Sequence, residues 1–218
     1  MTATVSRLYD DYDTASQAVR DLEAAGVPHN DISIVASNAD NWYSTGTASS
    51  VNTNASARAT TTGRVDRDRD GVDDRAEGAS KGAGIGAGIG GAAGLLAGLG
   101  MLAIPGIGPV VAAGWLASLA VGAVAGGVTG GLIGALSQAG VSEDDAHVYA
   151  EGVRRGGTLV SARIPDGDRA RVEAVLDRSA VNIRERGAAY RKAGWKTFDP
   201  AAPTYTAEQV RKERAMYR

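Results

Sequence analysis

Residues 82–142 contain no Asp, Glu, Lys or Arg, a run of roughly 61 positions in a chain of 218. Charged side chains mark the solvent face of most elements, so this run must be covered by something other than water. Most of the 30 glycines fall inside it. They recur every four residues at Gly82, Gly86, Gly90, Gly94 and Gly98, and again at Gly122, Gly126, Gly130 and Gly134. That spacing places them on one face of a helix, where a second helix can approach backbone to backbone. Each glycine costs a helix about 1 kcal/mol relative to Ala. Close packing against a partner, or a low-dielectric setting that forbids unpaired backbone groups, must offset that cost.

Pro105-Gly106-Ile107-Gly108-Pro109 interrupts the run. Two prolines bracketing two glycines end a helix and make a tight turn. The pattern therefore predicts a glycine-zipper helical hairpin with arms at 82–104 and 110–136. At about 1.5 Å per residue each arm could cross a hydrocarbon core of about 30 Å. Trp115, near the turn, suits an interfacial anchor. The first arm is mostly Gly and Ala, which gives little drive for insertion. Two settings stay open: contact with membrane lipid, or a soluble homo-oligomer whose subunits cover the hairpin.

The flanks read differently. Residues 5–9 suggest a strand, and Asp13 or Thr14 then caps a helix with Ala15, Ala18, Val19, Leu22 and Ala25 on one stripe. Gly26 and Pro28 end it, and residues 32–36 suggest a second strand. After the uncharged run, Ser142 caps a helix with Ala146, Tyr149, Ala150 and Val153 inward. Residues 158–164 alternate as a strand. Asp166-Gly167-Asp168 leads into a helix carrying Val172, Val175 and Leu176, and residues 181–185 suggest another strand. Two βαβ units in series predict an α+β, ferredoxin-like split βαβ + βαβ sandwich with the hairpin inserted. The expected division is 1–36, first half of the α/β domain; 37–80, a flexible linker; 81–141, the hairpin; 142–189, the second half; and 190–218, a basic tail. The tail suits either anionic lipid or plain solvation.

Candidate chemistry is sparse. Residues 66–77 read DRDRDGVDDRAE. Asp66, Asp68, Asp70, the carbonyl of Val72, Asp74 and Glu77 occupy positions one, three, five, seven, nine and twelve of an EF-hand-like loop, with Gly71 at six. Calcium is the cofactor this spacing calls for. Asp73 stands where an apolar residue is usual, and no helix precedes the loop, so a solvated charged linker is the competing reading. The sequence around Gly86 formally fits GxGxxG but follows no strand and has no acid about 20 residues on, so it belongs to the glycine repeat. His29 and His147 are isolated, and nothing pairs a nucleophile with a base. A net charge of −2 argues against nucleic acid as partner, and no small-molecule substrate is evident. The absence of cysteine excludes disulfides and thiolate chemistry, and the N-terminus lacks signal-peptide character. A non-enzymatic cytoplasmic protein is expected, with the 82–141 hairpin as its contact to the inner membrane if it has one.

VSRLYDDYDTASQAVRDLEAAGV, the block GLLAGLGMLAIPGIGPVVAAGWL, EDDAHVYAEGVRRGGTLVSARI and the closing AAYRKAGW together resemble the heat-induced, general stress protein family of bacteria (YflT-like). The resemblance spans about residues 3–36 and 80–196. It implies a stress-response protein, cytoplasmic or membrane-associated, with no catalytic residues to carry over. The 66–77 loop and the long tail depart from the pattern.

Overall fold

The computed structural model describes residues 2–43, 99–119 and 131–216. Strand β1 (Thr2–Tyr9) leads to helix α1 (Tyr12–Ala24) and, after a 3₁₀ turn at His29–Asp31, to strand β2 (Ile32–Ser37). The cap of α1 is Asp11, whose side chain accepts from the Thr14 amide at 2.8 Å, so the helix starts ahead of the expected Asp13 or Thr14. Helix α1 buries Ala15, Ala18, Val19 and Leu22, as its spacing requires.

Residues 99–119 correct the helical-hairpin expectation. Strands β3 (Gly100–Ile104) and β4 (Gly108–Gly114) form a β-hairpin, with Pro105, Gly106 and Ile107 at its turn. The Ile107 amide closes the turn on the Ile104 carbonyl at 3.0 Å. The physical reason is the sequence beside the prolines: Val110-Val111-Ala112-Ala113 lacks glycine, and its β-branched residues bury alternately on two faces. Trp115 follows β4 and is held against the sheet by two contacts. Its indole N–H donates to the Asp31 carbonyl at 3.1 Å, and Arg163 lies 4.8 Å over its ring.

The chain continues through helices α2 (Gly131–Gln138) and α3 (Glu143–Arg154), strand β5 (Thr158–Pro165) and helix α4 (Arg169–Leu176). Helices α5 (Ile183–Lys192) and α6 (Ala207–Met216) complete it. Of the expected strand at 181–185, residues 183–185 are helical instead. Asn182 caps α5 by accepting from the Arg184 and Glu185 amides, and Gly187 and Tyr190 turn inward along the helix. Of that strand there remains one main-chain bond, Val181 N–H to the Leu8 carbonyl at 2.8 Å.

One antiparallel five-stranded sheet results, in the order β1-β5-β2-β4-β3. β5 separates the parallel pair β1 and β2, which makes a split βαβ. Its register pairs Val5 with Ala162 and Ile34 with Val160. Alternate strand residues feed two cores. Val5, Tyr9, Ile32, Ile34, Val111, Val160 and Ala162 meet α1 and α4 on one face. Leu8, Val35, Val110, Ala112 and Leu159 meet α2 and α3 on the other. Helices thus cover both faces, where the ferredoxin-like expectation placed them on one. Ser6 and Ser161 join hydroxyls at 2.8 Å inside the sheet's second face.

Glu23, in the last turn of α1, has both carboxylate oxygens buried without a hydrogen-bond partner. Lost hydration pushes its pKa above the usual carboxylate range, and His29 opposes this. A raised native pKa means the native state holds this proton more tightly than the unfolded chain. Its ionisation therefore lowers stability as pH rises through the native value. Glu23→Gln is expected to raise the urea midpoint at pH 7, and the gain should disappear below the unfolded pKa of 4.5. Midpoints measured at both pH values check this; equal midpoints at pH 7 would contradict it.

Candidate functional site

The densest cluster of charge sits where α3 ends. Glu151 is 0% exposed and accepts from Arg155 Nε at 2.6 Å and Arg154 Nη1 at 3.1 Å. A buried carboxylate requires such pairing, and the i, i+3 and i, i+4 spacing supplies both partners from one helix end. Arg155 continues to Glu213 of α6 at 3.3 Å and stacks 4.2 Å over the Tyr190 ring of α5. Burial alone would lower the pKa of Arg155. The hydrogen bond and charge of Glu151, with Tyr205 and Glu213, outweigh it and hold the guanidinium above its usual range. Arg154 lies 4.8 Å over Tyr205 and donates to the Pro203 carbonyl at 2.9 Å.

These contacts tie residues 193–216 to the body, although most of the segment's side chains remain exposed. Phe198 and Val210 are buried in the body. Two glycines permit the close approach. Gly156 has φ +105°, and a Cβ there would lie 2.5 Å from Val210 Cγ1. Gly106, at the tip of the β-hairpin with φ +75°, would place a Cβ 2.6 Å from Pro200 Cα. Side chains at either position would force the tail away.

The same tail reaches the root of the insertion. Arg214 donates Nε to the Gly156 carbonyl at 2.9 Å and pairs with Asp40 at 2.6 Å. Asp40 sits in a turn in which the Asn38 side chain exchanges hydrogen bonds with the Tyr43 backbone, both at 3.0 Å. The Tyr43 hydroxyl donates to the Leu99 carbonyl at 3.3 Å. The chain therefore leaves after Tyr43 and returns at Leu99 at one place, braced by Tyr12 and Trp42 with ring centroids 4.5 Å apart.

The charge cluster of Glu151, Arg154, Arg155, Glu213 and Arg214 forms a clasp, beside which lies a cavity of about 10 Å³ lined by Arg155, Tyr190 and Arg214, room for about one water. A wider hollow of about 330 Å³ lies between residues 179–182 and α5, with Asp10 and Arg186 in its wall. Those two groups pair with each other at 2.7 Å, which commits the charge a ligand would use. Two buried tyrosines lie elsewhere in the body. Tyr9 donates to the Leu176 carbonyl at 3.0 Å, and Tyr149 to the Ser6 carbonyl at 2.7 Å. Burial pushes the Tyr149 phenol up to about 12, so it stays protonated near neutrality. The arrangement holds segments together; it does not set a base against a nucleophile.

The Asp66, Asp68, Asp70, Val72, Asp74 and Glu77 loop lies outside the described residues, as do Gly82, Gly86, Gly90, Gly94, Gly98, Gly122, Gly126 and Gly130. Gly134 falls within α2, where a Cβ would meet nothing within 4 Å, so no second helix packs closely on it among the described residues. Among those residues no acidic or histidine cluster could hold a metal, and no helix is long and apolar enough to cross a membrane. The clasp escaped the sequence reading. Its local half, Glu151 with Arg154 and Arg155, is visible as helical spacing; its partners Pro203 and Glu213 stand 49 and 58 residues away. Compared with protein-family models, curated proteins and solved structures, the chain matches none.

Glu151→Gln removes the charge that two half-buried guanidiniums share. It is expected to cost roughly 3 kcal/mol in urea unfolding, in line with breaking a buried ion pair. Gly156→Ala should leave the sheet intact yet expose residues 193–206 to limited proteolysis, as Val210 is displaced. Unchanged cleavage would show that the tail does not depend on this contact.

Proposed function

We propose that this chain is a non-enzymatic, cytoplasmic protein of the bacterial general stress response, in which an α/β/α body carries glycine-rich segments that mediate self-association. One observation carries the reading. The segment containing Gly82, Gly86, Gly90, Gly94 and Gly98 is rooted at both ends on a single braced point of the body, Tyr43 to Leu99. The clasp reaches that root through Arg214 and Asp40, with its charges committed to one another, which favours a display role over catalysis. The stress-response assignment rests on the YflT-like motifs, of which IPGIGPV forms the β-hairpin and YAEGVRRGG the end of α3. The split βαβ centre is read as a derivative of the ferredoxin-like sandwich with its fourth strand replaced.

Self-association is favoured over a membrane hairpin on length. With Gly100–Ile104 and Gly108–Gly114 committed to the sheet, the uncharged run left in the insertion is 82–98. As a helix at about 1.5 Å per residue it would reach about 25 Å, short of the roughly 30 Å core, and the chain must return to the point it left. A glycine-zipper contact between copies needs no such length.

The test is the size of the full chain by light scattering, against a Gly86→Gln/Gly90→Gln/Gly94→Gln variant. Bulky side chains on the glycine face should reduce the assembly. An unchanged size would refute the reading.

A second role, calcium binding at 66–77, is favoured by the complete one-three-five-seven-nine-twelve spacing of oxygen ligands. Titration calorimetry with calcium should give heat with the natural chain and none with Asp66→Ala/Asp70→Ala. No heat in either protein removes this role.

A further inference from the structure

The two edges of the sheet are finished differently. On β1 the outward carbonyls are taken: Leu8 accepts from Val181 N–H at 2.8 Å, and Ser6 accepts from Tyr149 at 2.7 Å and Arg7 at 2.9 Å. Arg7 also pairs with Asp177 and Glu173 beside that edge. A bonded, charged edge resists pairing with another strand.

β3 is the opposite edge and reads Gly-Met-Leu-Ala-Ile, without charge or proline. Which of its main-chain groups face outward follows from its neighbour. The Pro109 carbonyl accepts from Asn38 N–H at 2.8 Å, so it points toward β2 and away from β3. Pro109 is opposite Ala103. In an antiparallel ladder that makes Ala103–Pro109 a non-hydrogen-bonded pair, with the N–H and C=O of Ala103 directed away from β4. The same holds two residues earlier, at Met101. Leu102 spends its groups on β4, and the Ile104 carbonyl accepts from Ile107 in the turn. Among the described residues no strand lies beyond β3. Ala103 is exposed, while Met101 and Leu102 are partly buried and pack against the two cores, one on each face.

We propose that this edge is an interface with a second copy of the chain, β3 pairing antiparallel with its twin across a two-fold axis through Leu102. In that register Met101 of one copy faces Ala103 of the other. Each copy's two outward N–H groups then meet the other's two outward carbonyls. The occupant follows from charge. A two-fold pairing sets like residues near one another, which strands bearing Lys or Glu do not tolerate and this uncharged strand does. A register shift toward the turn would bring Pro105, which has no N–H, opposite a carbonyl needing a donor, and the opposite shift would call on the Leu99 carbonyl, which already accepts from Tyr43. The result is a continuous sheet through two bodies, and it does not rest on the glycine-rich reading.

Ala103→Pro is the discriminating variant. It deletes an outward N–H and places a ring in the path of the second strand, yet it touches no bond between β3 and β4, and proline is accepted on edges of this kind. The variant is made both in the natural chain and in the Gly86→Gln/Gly90→Gln/Gly94→Gln background. The glycine variant should scatter light as a dimer, and adding Ala103→Pro should make it a monomer with unchanged far-UV circular dichroism and thermal midpoint. Hydrogen exchange provides a second readout. The Met101 and Ala103 amides should be protected in the dimer and lose that protection with dilution, while Leu102 keeps its own. A glycine variant that is already monomeric, or a dimer that survives Ala103→Pro, overturns the pairing. If the natural chain is no larger than the glycine variant while Ala103→Pro still dissociates it, the edge pairing stands and the glycine-rich reading falls.

Discussion

β5 hydrogen-bonds on both of its sides, to β1 along one and to β2 along the other, and the whole body depends on this placement. Without it β1 and β2 would lie two strands apart with unpaired backbone between them, and buried N–H and C=O groups do not remain unpaired. Its side chains serve both layers: Val160, Ala162 and Ile164 enter the core under α1 and α4, and Leu159 enters the core under α3. Ser161 meets Ser6 where a pair of hydroxyls can satisfy each other across the strands. The helix that carries Glu151 packs on this second face and leads directly into β5.

The clasp completes what β5 begins. Glu151, Arg154 and Arg155 gather α3, α5 and the C-terminal segment at one corner, with Tyr190 and Tyr205 stacked on the guanidiniums. Arg214 carries the connection on to Asp40, beside the point at which the insertion departs. The departure point of the chain's most unusual segment is thus tied to helix α6, and its return at Leu99 is tied to Tyr43. A surface charge pair in isolation contributes little. Here the pairs are partly shielded from water and share partners, so removing one leaves others uncompensated.

Much of the flanking structure was legible in the sequence. The stripe on α1, the Ser142 cap of α3 and the alternation of β5 appear where periodicity puts them, because each follows a local rule that the fold does not override. Two errors share a cause. The run of glycines suggests continuous helices, and the alternating Val181 and Ile183 suggest a strand; in both cases tertiary context decides between helix and strand where the local pattern is short. Val110 to Ala113 had the composition of a strand all along, but the four-residue glycine period on either side masked it. The clasp was invisible for a different reason: its partners are distant in sequence, and no spacing rule joins Arg155 to Glu213.

The order of strands in the sheet also governs when the body can form. The centre of the split βαβ comes from residues 158–165, and the hydroxyl pair of Ser6 with Ser161 spans 155 positions. During synthesis the first 43 residues emerge long before the strand that separates β1 from β2 exists. Closing so large a loop comes before any reward from pairing, which slows the search for the native arrangement. Until β5 inserts, the nascent chain presents two unsatisfied strands together with a long uncharged stretch. That interval is when a ribosome-associated chaperone would find the most exposed apolar surface on this polypeptide.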